Sequence, residues 1–369
     1  SDDYGQTWRS IAAGLPAASV HKIREHPRNQ RLLFAGHERG IHFSIDGGAS
    51  WSPLNLNMPT VPVDDFLIHP RENDLVVGTH GRSIWILDNI SSLEALTPDA
   101  MRSEAFLVPP ARARLLSIYN PQAWYGAGQY FAPNPDFNAA IDYYLRAGSK
   151  DEVTVTVADG RGTPVRTFKG SSRAGLNRAS WDLRLEPPGP ENQRETPASG
   201  GFGGSPQGPL VLPGVYAVTV SAGGRTLKGE LRVEGDSRVV FSEADRRTRQ
   251  TALLNLYALQ KSLAAARVAG ATAVGQLDTP GGRGITSSRA DASSRLTRVQ
   301  ADLLAQFNAA TNLSRAIEGY SGLPTADQRK QVDWAFEDAG KAIDALNRIL
   351  QTDTAPSRLT VPTKLTRDQ

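Results

Sequence analysis

Laid over itself with a shift of 43 residues, the first quarter of this chain reads as two copies of one pattern. Ser1-Asp2-Asp3-Tyr4-Gly5-Gln6-Thr7-Trp8 returns as Ser44-Ile45-Asp46-Gly47-Gly48-Ala49-Ser50-Trp51. The same shift pairs His26-Pro27-Arg28 with His69-Pro70-Arg71, His37 with His80, Arg39 with Arg82 and Ile41 with Ile84. One shift that holds across turns and apolar runs alike marks a structural unit used twice.

Within each copy, short apolar runs separated by turn residues read as strands. The first copy predicts strands at 20–25, 31–36 and 40–44, with Trp51 opening a fourth. The second predicts them at 63–68, 75–79 and 83–87. A repeat of roughly 40–50 residues holding several short strands is the pattern of a β-propeller blade. A propeller closes with at least about four blades. Residues 1–100 are therefore expected to be the C-terminal blades of a propeller whose other blades lie upstream in a longer protein.

The Ser-x-Asp-x-Gly-x-x-Trp pattern at Ser1, Asp3, Gly5 and Trp8, and again at Ser44, Asp46, Gly48 and Trp51, resembles the Asp-box, or BNR repeat, of sialidases, xyloglucanases and sortilin-type propellers. A carboxylate at that position can accept the turn's own amides. The glycine permits positive φ, and the tryptophan packs the turn down. Asp3 and Asp46 are thus expected to be structural. A third copy near Leu87-Asp88-Asn89 has decayed.

Antiparallel alternation places the loops after the second strands at the end opposite the Asp-boxes. The resemblance implies that this end carries ligand or active site. The candidate binding residues there are His37, Arg39, Asp64, Asp65, His80 and Arg82; the alternative is that they are turn residues serving their own backbone. All six histidines fall before residue 81 without a recognised metal spacing, so no metal or other cofactor is expected. Glycoside hydrolysis uses two carboxyl groups, one as acid and one as base or nucleophile. Where the resemblance to xyloglucanases implies a catalytic aspartate, this chain has His37 and His80, and the sialidase arginine triad has no counterpart. No catalytic residue is assigned, and this span is expected to be inactive by itself.

Residues 101–140, rich in proline and carrying Trp124, Tyr125, Tyr130 and Phe131, read as an extended linker. Residues 141–236 read as a β-sandwich built on hairpins at 153–168 and 215–233 with a further strand at 181–184. The run Gly175-Leu176-Asn177-Arg178 before Trp181-Asp182, and Leu212-Pro213-Gly214-Val215-Tyr216 after it, resembles the FlgD-type Ig-like module. The Pro- and Gly-rich stretch 186–209 is expected to be a flexible loop. Residues 241–350 predict a three-helix bundle: helices at 242–268, 292–318 and 326–350 with a glycine-rich break at 270–288, followed by a tail at 351–369. The fold class is therefore mainly β with an α tail: partial propeller, Ig-like sandwich and helical bundle.

Composition narrows the partners. A net charge of +3 with no dense basic run argues against nucleic acid. No apolar run approaches the ~20 residues of a membrane span, and the absence of cysteine excludes disulfides and thiol chemistry. The resemblance as a whole implies an exported bacterial protein, periplasmic or extracellular, whose propeller binds protein, peptide or glycan ligands. The alternatives are a glycoside hydrolase with its catalytic residues in upstream blades, and a structural envelope-docking module.

Overall fold

The computed structural model describes residues 1, 3–54, 56–116, 128, 137–189, 206–278, 287–353 and 359–366. The chain is mainly β-sheet up to residue 235 and helical beyond it. It divides into two compact units: 1–114, 118–182 and 215–232 in the first, and 115–117, 183–214 and 233–369 in the second.

In the first unit, β1 (Val20–His26), β2 (Asn29–His37), β3 (Gly40–Ser44) and β4 (Ser52–Pro53) form an antiparallel sheet in chain order. β5 (Val63–Ile68), β6 (Leu75–Thr79) and β7 (Ile84–Leu87) form a second in the same order. These strands lie where the repeat predicts them, to within one residue except at the start of β2, which comes two residues earlier. Period-two alternation divides β2 between two cores. Leu32 and Phe34 meet Val63, Phe66, Leu75 and Val77 of the second sheet, closed by Ile90, Leu93 and Leu96 around the short helix α1 (Ser91–Ala95). Leu33 and Ala35 face the other way, onto Trp51, Ile11 and Leu15. Gly36 follows on the Phe34 face, where a Cβ would stand 2.8 Å from a Val63 methyl. The sheets approach that closely because the position has no side chain.

A second short helix, α2 (Pro98–Arg102), leads into two further sheets of the first unit. One has the order β13-β10-β8, from Gly175–Trp181, Ala139–Leu145 and Ala105–Leu107. The other is β12-β11-β14-β15-β9, from Pro164–Gly170, Val153–Ala158, Gly214–Ala222, Arg225–Gly235 and Ala113–Leu115. Their inner faces meet: the Trp181 and Tyr216 rings lie 5.4 Å apart edge to face, and the Tyr143 hydroxyl donates to the Ser171 carbonyl at 2.5 Å. Val153, Val155 and Val157 point into this core. Arg178 and Asp142, cross-strand partners, form a two-pronged pair at 2.7 and 2.9 Å, and the same guanidinium donates to the Asn89 carbonyl at 3.2 Å.

Two expectations change here. The strand near Trp181 spans 175–181 and ends there. Leu183 turns at φ +58, and residues beyond it pair across the 190–205 stretch through the Arg184–Leu210 bridge. The segment 101–140 contributes β8 and β9, one to each sheet, and three-residue strands are too short to show a period. The linker aromatics Trp124, Tyr125, Tyr130 and Phe131, and most of the 186–209 stretch, lie outside the described residues.

In the second unit, α3 (Glu243–Asp278), α4 (Ser287–Glu318) and α5 (Ala326–Asp353) share one core of Leu253, Leu256, Leu259, Leu303, Phe307, Phe336 and Leu346 among others. Ser242 accepts from the Asp245 amide at 3.1 Å, starting α3. Thr325 and Gln328 form a reciprocal capping box at 2.9 and 3.1 Å ahead of α5. α3 runs further into the glycine-rich stretch than the sequence predicts. α3 continues ten residues past Val268, because Gly270 faces α4 where the Gln300 side chain reaches over to the Arg267 carbonyl at 3.0 Å. Packing outweighs the roughly 1 kcal/mol propensity cost of a helical glycine. No helix among the described residues is long and apolar enough to cross a membrane.

Candidate functional site

Strand register separates two chemically different ends of the paired sheets. Ser44 lies opposite Leu33, so the Ser44–Trp51 turn leaves β3 at the end where β1 turns into β2. Gly40 lies opposite His37, His37 opposite Val20, and Thr79 opposite Val63. His37, His80, Asp64 and Asp65 therefore gather at the other end.

At the end that carries the Ser1–Trp8 and Ser44–Trp51 turns, the carboxylates are occupied by those turns. Asp46 accepts the Ser50 amide at 2.9 Å, the Ser50 hydroxyl at 2.5 Å and the Ser44 hydroxyl at 2.7 Å, while Ser44 Oγ accepts the Gly48 amide at 2.8 Å. The first copy repeats the scheme: Asp3 accepts the Thr7 amide at 2.9 Å, its hydroxyl at 2.7 Å and the Ser1 hydroxyl at 2.9 Å, and Gly5 donates to Ser1 at 2.6 Å. The Thr7 amide and the two hydroxyls hold Asp3 down to a pKa of about 2. Partial burial pushes Asp46 up, but its bonds to Ser50 and Ser44 outweigh it and leave the carboxyl below its ordinary range. Gly48 sits at φ +87 with Ile11 pressed against it, where a Cβ would come within 2.8 Å. The tryptophans differ. Trp51 is 9% exposed and donates to the Ile11 carbonyl at 2.7 Å, whereas Trp8 is 81% exposed and folds back on the Gly5 carbonyl at 3.1 Å.

The opposite end holds ionisable groups that reach across to one another. β1 runs beside β5, and the 43-residue shift carries His21 onto Asp64 and Lys22 onto Asp65. The repeat thus sets basic residues on one strand against acidic residues at the equivalent places on its neighbour. Asp64 lies 3.7 Å from His21 Nδ1 and 3.2 Å from His80 Nδ1, between one imidazole from each sheet. His21 Nδ1 is also 3.2 Å from the Val63 carbonyl, which can only accept, so that nitrogen carries the proton. Lys22 and Arg24 each lie 3.4 Å from Asp65, and Arg24 also donates to the Phe66 carbonyl. The Phe66 amide first, then Lys22 and Arg24, keep Asp65 ionised below the usual range.

Beside this cluster the buried His37 pairs with the partly buried His42. His37 Nδ1 accepts the Arg39 amide at 3.1 Å, so its proton sits on Nε2 and is donated to His42 Nδ1 at 2.7 Å. Both rings are thereby fixed as neutral tautomers. Burial pushes both pKa values down, and His42, His21 and Arg39 push His37 further. Arg39 and Arg82 have exposed side chains at the margin of this end. Their backbones are engaged, Arg39 through its amide to His37 and Arg82 through its carbonyl to Trp85 at 2.9 Å.

Of the six residues that the sequence singles out, Asp64 and His80 meet directly, Asp65 joins them through strand β5, and the buried His37 pairs with His42. His21, Lys22, Arg24 and His42 complete the cluster and were missed. The signal for the first two was the sign reversal between repeat-equivalent positions. Among the described residues no group of three or more His, Asp or Glu side chains is disposed to hold a metal ion.

Protonation of the histidine pair predicts an acid response. His37 and His42 have depressed pKa values, so the stability they contribute is complete above about 6.5 and is lost as pH falls through their folded values. Asp3, Asp46, Asp65 and Glu94 have depressed carboxyl pKa values, so theirs is complete above about 4 and lost below it. Both act in one direction. Hydrogen-exchange protection of residues 20–87 should fall in two stages on acidification, and His42→Leu combined with His37→Gln should flatten the first. Protection that increases between pH 7 and 5 would contradict the tautomer assignment.

No family model matches this chain, and no curated protein matches it. Among solved structures it is similar to trypsin-activated alpha-2-macroglobulin from Escherichia coli at 12% identity and a TM-score of 0.19, over 57% of this chain and 13% of that one. A likeness of that size bears on neither fold nor chemistry.

Proposed function

We propose that residues 1–100 are two blades of an Asp-box β-propeller, followed by an FlgD-like Ig module, in an exported bacterial protein that binds protein, peptide or glycan ligands at the end of the blades opposite the Asp-boxes. The upstream blades complete the binding surface. The observation that carries this reading is the division of labour between the two ends. Asp3 and Asp46 are spent on their own turns. Asp64 instead spans His21 and His80, exposed groups from adjacent sheets that offer a ligand both charge and hydrogen bonds. Binding is favoured over glycoside hydrolysis because Asp64 and Asp65 are chain neighbours rather than carboxyls set apart across a substrate. Asp65, moreover, is held ionised, the wrong state for a general acid.

Immobilised glycan and peptide arrays test this with the wild-type chain and with Asp64→Ala/His80→Ala. The proposal expects discrete hits that the double variant loses by about tenfold or more in affinity, with the fold intact by circular dichroism. Hits that survive the double substitution, or turnover of fluorogenic glycosides by this span, would overturn it.

A further inference from the structure

Asn255 and Asn347 lie inside helices α3 and α5, 7% and 5% exposed, among leucines. Asparagine is a poor helix former, and a buried carboxamide must find partners for both its groups. Neither side chain finds them in the helices. Asn347 donates to the Leu359 carbonyl at 2.8 Å and accepts the Leu359 amide at 3.1 Å. Asn255 donates to the Leu365 carbonyl at 3.2 Å and accepts the Leu365 amide at 2.7 Å. Each carboxamide treats one residue of the tail as a neighbouring β-strand would.

The two clamps sit on different helices and hold the tail six residues apart, with 359–366 in no regular element between them. Leu359 and Val361, alternate residues of the segment, pack against the bundle core. Val361 lies over Gly340, a methyl 3.7 Å from where a Cβ would project. Lys364 reaches Asp333 at 2.5 Å and lies 5.0 Å over the Phe336 ring. Leu365 is clamped through both backbone groups while its own side chain stays 39% exposed. At that position the helices read main chain.

We propose that the α3–α5 face is a binding site for extended polypeptide, occupied in cis by residues 359–366. The ligand class is a segment with apolar side chains at its first and third positions and a cation at its sixth. Two carboxamides supply sequence-tolerant backbone recognition, the mode by which sheet edges capture peptides, here built on helices.

The test keeps the helices and residues 359–366 in one preparation. A protease recognition sequence replaces residues 354–358, the chain is cut, and a labelled peptide Leu-Thr-Val-Pro-Thr-Lys-Leu-Thr is added in excess. The expected result is that the cut segment stays with the bundle through gel filtration and exchanges for the labelled peptide. A peptide changed at the positions of Thr360, Thr363 and Leu365 should exchange equally well, whereas Val361→Asp in the peptide should weaken uptake by more than about tenfold. Asn255→Ala/Asn347→Ala in the bundle should release the segment. Loss of the segment on cutting while the helices remain folded, failure of the peptide to enter, or retention unaffected by the asparagine substitutions would overturn the proposal.

Discussion

Trp51→Ala should destabilise the first sheet by about 3–4 kcal/mol, the cost of emptying a large buried aromatic site, while Trp8→Ala should stay within about 0.5 kcal/mol. The two residues occupy the same place in the same motif, so the contrast isolates packing from motif membership. Trp51 rests on Ile11, Leu15, Leu33 and Ala35 and donates to a carbonyl 40 residues away. Trp8 touches little beyond its own turn. Opening free energies from native-state hydrogen exchange over β1–β4 would give both values locally, which matters in a chain with more than one cooperative unit. Equal costs at the two positions would show that the turn, and not the layer beneath it, sets the stability of the motif.

The second large effect is expected at Glu94. Its carboxylate takes two bonds from Arg28, at 3.0 and 2.8 Å, and one from Asn73 at 3.1 Å; its carbonyl takes one from Asn29 at 2.9 Å. Asn73 in turn receives the fully buried His26 at 3.0 Å. This network ties the β1–β2 turn of one sheet to the β5–β6 turn of the other. The Arg28 bonds hold the Glu94 pKa down despite partial burial. Glu94→Ala leaves a buried amide hydrogen and a guanidinium without their acceptor. It should cost about 1–2 kcal/mol, mostly from the Asn73 amide because the half-exposed Arg28 can turn to water, and Glu94→Gln, which keeps an acceptor but not the charge, about half as much. The substitution should loosen both turns together in hydrogen exchange. Loosening of only one would mean that the sheets are joined by their apolar core alone.

How much of this was legible follows from range. The strands were readable because the repeat supplies two independent samplings of each. The Ser-x-Asp-x-Gly-x-x-Trp turns and the Thr325–Gln328 cap were readable because their bonds close within four residues. What escaped depends on neighbours distant in sequence. Gly270 reads as a breaker until Gln300 is placed against it. β8 and β9 are too short to carry a period and exist because edges were available for them. At the site, His37 and His80 stood out as a repeated pair, but His21 and Lys22 did not. Their meaning lies in a difference between copies, the change to Asp64 and Asp65, which becomes chemical only when β1 and β5 lie side by side. The role of Asn73 was hidden for the same reason: its partners His26 and Glu94 are 47 and 21 residues away.

On the proposed function, the two ends of these sheets do different work, one holding the turns and the other meeting the ligand. Hydrogen-exchange mass spectrometry with a ligand recovered from the glycan or peptide arrays tests it directly. Added protection is expected at residues 19–22, 37–42, 62–65 and 79–82 and none at the turns 1–8 and 44–51. Protection centred on the Asp-box turns, with the opposite end unchanged, would contradict it.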